Sequence, residues 1–179
     1  MSLQTTTSVL WAGSRHSIDN VTNGWMTWQA GASSAVPAWG TQYRAIYVPV
    51  GVPRRCIVLE LGFVNASTGA GNVDVGIYNS AGVRLVSTGT QAKGTTTSIW
   101  TYNVTDTTIG PGLYYIALNL DTATDTVYGT TATAPTPMAR GLLTETLGSI
   151  TLPATATWAY DQTLAFVPLV NALLVTEIS

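Results

Sequence analysis

The chain has 179 residues, of which 7 are Lys or Arg and 9 are Asp or Glu, whereas an average soluble domain of this length carries about 45 charged residues. With 46% hydrophobic residues and a mean hydropathy of +0.25, this composition excludes intrinsic disorder. A net charge of −2, with no basic cluster larger than Arg54-Arg55, excludes nucleic acid as a partner.

A chain of this size can bury roughly 70% of its unfolded surface and needs neither disulfide nor metal to hold a core, so one domain is expected. The amino terminus, Met1-Ser2-Leu3-Gln4, has neither the cationic start nor the apolar run of an export signal, which predicts folding in a cytoplasm. Residues 1–42 hold four of the six Trp, without a sustained period of 2 or 3.6. They read as an irregular arm. Such an aromatic segment must pack on its own domain, on a neighbouring subunit or on a different protein. The expectation taken forward is docking, with Trp11, Arg15, Trp25, Trp28 and Trp39 as interface residues. Arg15 would pair with a carboxylate of an adjacent copy, since residues 60–179 carry eight acidic groups against three basic ones.

From residue 43 to 179 the chain reads as a single β-domain of short strands divided by turns. Cys56 sits in the apolar run Arg55 to Leu59 and is expected in the core. Ile57, Leu59, Leu61 and Phe63 alternate with Val58, Glu60, Gly62 and Val64, and Val73, Val75 and Ile77 alternate in turn. The turn Asn79-Ser80-Ala81-Gly82 predicts a hairpin. Trp100, Tyr102 and Val104 share one face of the next strand. After Gly110-Pro111-Gly112, the run Leu113 to Leu120 is apolar on both faces, as in a central covered strand. Further strands are expected over 126–129, 142–152, 157–160, 162–167 and 173–178. The most apolar stretch, Leu164 to Val175, is too short to span a bilayer and contains Pro168 and Asn171, so no membrane insertion is expected. Turn residues every ~8 to 12 positions point to an antiparallel β-sandwich, a jelly roll by its strand spacing. The fold class is therefore all-β.

Catalytic chemistry finds little support. His16 is the only His, and no G-x-S-x-G elbow accompanies Ser14, Ser17 and Asp19. One His and one Cys cannot make the usual zinc shell. Asn119, Asp121 and Asp125 match no calcium loop and read as a solvated loop. Glu60 and Asp74 lie in clearly alternating runs, and their alternation predicts outward, solubilising positions rather than a glycosidase pair. No catalytic residue, metal or cofactor is assigned. Sugar is the ligand class the composition favours, through aromatic stacking. The candidates are Tyr128, Trp158 and Tyr160; Trp100 and Tyr102 alternate as core residues do. The other reading of Trp158 and Tyr160 is a second aromatic stripe on an inner face, core packing being the favoured reading of these aromatics.

The segment Asn72-Val73-Asp74-Val75-Gly76-Ile77-Tyr78-Asn79-Ser80-Ala81-Gly82, then Thr88-Gly89-Thr90, then Gly110-Pro111-Gly112-Leu113-Tyr114-Tyr115-Ile116-Ala117-Leu118, resembles β-sandwich modules in structural proteins of tailed-bacteriophage virions. The resemblance implies a non-enzymatic virion component of the tail, baseplate, fibre or capsid-decoration type. It would act as a homo-oligomer, expected as a trimer, in contact with other virion proteins. A chain so short of charge gains solubility by burying apolar surface in a closed oligomer. The alternative is an adhesin module that binds host surface glycans.

Overall fold

In the computed structural model the described residues are 6–12, 38–66, 69–131 and 141–176. They form twelve strands and no helix. The order in the chain is β1 (Thr6–Ala12), β2 (Arg44–Val52), β3 (Cys56–Asn65), β4 (Gly71–Asn79), β5 (Arg84–Ser87), β6 (Gln91–Lys93), β7 (Ser98–Ile109), β8 (Gly112–Leu120), β9 (Gly129–Thr131), β10 (Leu143–Thr146), β11 (Phe166–Pro168) and β12 (Val170–Thr176). One sheet has the order β1-β12-β3-β7. The other has the order β10-β2-β8-β4-β5, with β6 also on β4, and a two-stranded β11-β9 ribbon completes the set. Every pairing is antiparallel.

The two sheets pack face to face into a β-sandwich, and period-2 alternation explains which residues meet between them, except in β3. There a bulge between Val58 and Glu60 shifts the phase, so that Val58 faces the core with Leu61 and Phe63 while Ile57 and Leu59, expected on that face, are only half-buried. Val58, Leu61 and Phe63 of β3, with Val170, Ala172 and Leu174 of β12, meet Ile46 and Val48 of β2, Val73, Val75 and Ile77 of β4, and Ile116, Leu118 and Leu120 of β8. Cys56 is part of this core, as expected. Trp100, Tyr102 and Val104 lie half-buried against it, on the face their alternation predicted. The strand expected to be central, β8, runs between β2 and β4.

The hairpin predicted at Asn79–Gly82 joins β4 to β5. Gly82 takes a φ of +82°, and the Asn79 side chain accepts from the amides of Ala81 and Val83 at 3.0 Å each. The Gly110-Pro111-Gly112 turn carries the chain from one sheet to the other, and Tyr114 Oη locks it by donating to the Gly110 carbonyl at 3.1 Å.

Three expectations are corrected. The stretch taken as an irregular arm contributes an edge strand: β1 pairs along its length with β12, with Trp11 opposite Asn171. Such a strand has no signal in its own residues, because its ladder partner lies more than 150 positions away. Trp39, grouped with the docking residues, is fully buried in its own sandwich. Its ring packs edge-on against Phe166 at 5.8 Å, and its Nε1 donates to the Arg44 carbonyl at 2.9 Å. Arg15, Trp25 and Trp28 lie outside the described residues. Beyond β8 the strand bounds also move. The run expected over 142–152 is a strand only at Leu143–Thr146, that over 157–160 is reduced to a Thr144–Ala159 bridge, and that over 173–178 begins at Val170 and contains Asn171.

Candidate functional site

The face of the larger sheet that points away from the other sheet is not left to water. Its outward residues are Ala45 and Tyr47 on β2, Gly76 and Tyr78 on β4, and Tyr115 and Ala117 on β8. Ala117 stands in register with both Tyr47 and Gly76, and Tyr78 with Tyr115. Small residues at the centre and tyrosines around them make a shallow trough. The segment Leu147 to Tyr160 lies over it and contributes Leu152, Ala156 and Trp158 to a second apolar cluster. A Cβ at position 76 would lie 2.9 Å from Leu152 Cδ1, so the glycine lets that leucine come down close onto the sheet.

Polar groups clip this strap down. Asn119 Nδ2 donates to the carbonyls of Ser149 (3.1 Å) and Ile150 (2.6 Å). Tyr78 Oη donates to the Pro153 carbonyl at 2.6 Å, and the Arg84 guanidinium to the Leu152 carbonyl. Asp74 Oδ2 accepts from the Leu152 amide at 2.9 Å, and Asp74 Oδ1 accepts from Thr88 Oγ1 at 3.2 Å. Asp74 is therefore fully buried, against the expectation of a solubilising surface acid. It does point outward from the sandwich, but the strap lies between it and solvent. Burial pushes its carboxyl above the usual range, although the Leu152 and Thr88 hydrogen bonds and the Arg84 charge oppose the shift. Glu60 is half-buried.

Trp158 is the strap's central anchor. Its ring lies 4.7 Å from Tyr115, 5.0 Å from Tyr47 and 6.2 Å from Tyr78, in tilted and edge-on arrangements of the kind aromatic quadrupoles favour. Tyr47 Oη donates to Glu145 Oε2 at 3.0 Å, and Glu145 also accepts from the amide and hydroxyl of Thr157. Burial pushes the pKa of the Tyr47 and Tyr78 phenols above the ordinary range, so both remain neutral donors.

Of the three predicted sugar-binding aromatics, Trp158 is thus half-buried and committed to packing. Tyr128 is half-buried on another part of the fold, where its amide and carbonyl bridge Val64 and Leu169. Tyr160 is 63% exposed. Burial above all, and the Tyr160 phenol to a lesser degree, pushes the pKa of the Tyr115 phenol above its ordinary value. The sequence did not single out Tyr115, which was assigned to a covered strand.

The acids after β8 are not a solvated loop. Asn119 and Asp125 are buried, and Lys93 Nζ approaches Asp125 Oδ1 at 3.2 Å with both side chains almost wholly shielded. Asp121 accepts from the amide and side chain of Asn72 (2.9 and 2.7 Å) and from Thr122 Oγ1 (3.0 Å). Asp125 is thus engaged by an ammonium and Asp121 by neutral donors. Among the described residues no group of three metal-ligating side chains comes together. No helix among them is long and apolar enough to cross a membrane. His16 lies outside the described residues.

Comparison with protein-family models, with curated proteins and with solved structures finds no match.

Proposed function

We propose that the chain is a non-enzymatic structural subunit of a bacteriophage virion, a tail, baseplate, fibre or capsid-decorating protein that works as a homo-oligomer. The observation that carries this reading is the nested strand pairing. β1 pairs with β12, β2 with β8, β3 with β7, and β4 with β5, as in one long hairpin rolled up on itself. We infer a jelly roll from this order, with β9 to β11 inserted between its last two strands. Jelly rolls build viral capsid domains and lectins alike, so the fold narrows the class and other features must choose within it.

Two features support assembly. Sixteen charged residues in 179 give little electrostatic protection against association, which a closed oligomer would put to use. Two charged groups, Lys93 and Asp125, are moreover buried against each other and add nothing to the surface. The segment with Arg15, Trp25 and Trp28 is the proposed contact to neighbouring copies, now as a connection between β1 and β2 rather than a free arm. A trimer is the expected state, made in the host cytoplasm and carried in the virion.

Sedimentation of the purified chain at micromolar concentration tests the reading, together with its incorporation into particles. A species near three times 18.8 kDa is expected. Trp25→Ala or Trp28→Ala should lower association while leaving the unfolding transition in place. A monomer that never enters particles would overturn the proposal.

A further inference from the structure

The chain has six Arg and a single Lys, and the fold hides that Lys. Lys93 ends β6 in register with Gly71 of β4, and its side chain is 0% exposed. Its Nζ stands 3.2 Å from Oδ1 of Asp125, whose side chain is 4% exposed. Two glycines make room for this carboxylate. A Cβ at Gly69 would lie 3.2 Å from Asp125 Oδ1, and one at Gly71 would lie 3.2 Å from Asp125 Oδ2. The same Gly71 position is 2.8 Å from Asp121 Oδ1, so a second carboxylate borders the pair.

The choice of Lys at this place has a chemical meaning. A buried cation that only has to neutralise a carboxylate is better supplied by Arg, whose planar fork binds carboxylate bidentately and is more weakly hydrated. This chain uses Arg everywhere else. What Lys offers and Arg lacks is a side-chain amine that can act as a nucleophile. Keeping an ammonium and a carboxylate as separate charges away from water carries a desolvation penalty for each ion, and joining the two groups covalently removes it. The fold also supplies proximity. At 3.2 Å from Oδ1 the amine is one bond from the carbon it would attack, and the shielding keeps out the water that would reverse the reaction.

We propose that Lys93 and Asp125 are a modification site at which the folded chain cross-links itself through an isopeptide bond. One proton of the ammonium passes to the carboxylate, leaving a neutral amine beside a neutral acid. The Nζ lone pair adds to Cγ, the bond from Cγ to the hydroxyl breaks, and the hydroxyl leaves as water with one of the two remaining amine protons, relayed by the Asp121 carboxylate. An ammonium and a carboxylate become an amide and one water, so the step needs no oxidant, metal or further reactant. The bond ties the three-residue strand β6 to the 121–125 loop. Through the amides of Trp39 and Gly40, which donate to the Asp125 and Ala123 carbonyls at 2.7 and 2.8 Å, it also anchors the residues ahead of β2. With one Cys the chain cannot close a disulfide within itself. The cross-link goes beyond the structural reading and does not rest on it, because it forms inside one chain whatever the assembly.

The intact mass of the purified full chain, measured in denaturant, tests the proposal. A mass one water below that of the sequence is expected. Trypsin should then fail to cut after Lys93, so that residues 85–140 emerge as one peptide, lighter by one water and with the link mapped to positions 93 and 125. Lys93→Arg and Asp125→Ala should each show the full sequence mass. Lys93→Arg, which keeps a cation but cannot form the bond, should melt about 10 °C lower, as expected for opening a loop of this length. Asp121→Asn should slow the loss of water in newly made chain, and a wild-type rate would remove Asp121 from the step. A wild-type chain of full sequence mass, or one that trypsin cuts after Lys93, would overturn the proposal. A loss of ammonia in place of water, mapped to Asn65, whose Nδ2 donates to the Gly94 carbonyl at 2.8 Å, would overturn Asp125 as the acceptor.

Discussion

Replacing Trp39 by Ala separates packing within the sandwich from docking onto a neighbour. The indole is fully buried among residues of both sheets and edge-on to Phe166, so its removal takes about 200 Å² of apolar contact out of the core. At ~25 cal/mol per Å² that is about 5 kcal/mol, less the ~1 kcal/mol that an Ala methyl recovers. The figure agrees with the roughly 3 to 5 kcal/mol typical of Trp→Ala in cores. The Arg44 carbonyl also loses its Nε1 donor, which costs about 1 kcal/mol more. The backbone bonds of Trp39 to Asp125 and Arg44 survive the change. The expected loss is therefore about 5 kcal/mol, a large share of the roughly 5 to 15 kcal/mol that holds a domain together. Urea unfolding followed by far-UV circular dichroism measures it, with Trp39→Phe as the volume-sparing control at about 1 to 2 kcal/mol. A Trp39→Ala variant that loses less than about 1 kcal/mol yet fails to assemble would refute the assignment to the core, and would restore Trp39 to the docking surface.

Four further outcomes follow from the same packing. A Cβ at Gly94 would sit 1.6 Å from the Trp100 ring, so Gly94→Ala should cost about 1 to 3 kcal/mol in a chemical melt, and a neutral effect would show that Trp100 is free to move. Lys93→Met leaves the shielded Asp125 carboxylate without its ammonium and should cost about 3 to 5 kcal/mol, whereas the double variant Lys93→Met, Asp125→Leu should recover most of that loss; additive losses would argue against the pair. The Asp74 carboxyl has a native pKa raised above its unfolded value near 3.8, so the stability it contributes is complete below that pH and is lost as pH rises through the native pKa. Asp74→Asn cannot lose a proton, so its stability relative to wild type should rise between acidic and neutral pH, and parallel pH profiles would contradict the sign. The Cys56 thiol is buried and pushed up to about 11, so an aromatic disulfide reagent at pH 8 should label the chain only after denaturant is added.

Strand character was legible in the residues because pleat and side-chain size are local. Val73, Val75 and Ile77 had to share a face, Gly82 had to make the turn, and the run Leu113 to Leu120, apolar on both sides, had to lie inside a sheet, although only Ile116 to Leu120 are fully covered and Leu113 is 49% exposed. The scarcity of charge and the all-β class followed from composition in the same way. What covers a given face is not local. Asp74 alternates like a surface acid and is buried because residues 149–153, some 75 positions later, settle over its side of β4. Trp39 sits in a stretch with no period, yet its ring closes the space between two sheets whose strands come from both ends of the chain. Thr6–Ala12 is a strand only because β12 offers it a ladder. Trp158 and Tyr160 stand two residues apart and were indistinguishable as sequence, but the trough floored by Gly76 and Ala117 takes up the first and leaves the second in solvent. Period and turn chemistry are written in neighbouring residues, whereas burial of an outward face is decided by whichever distant segment reaches it.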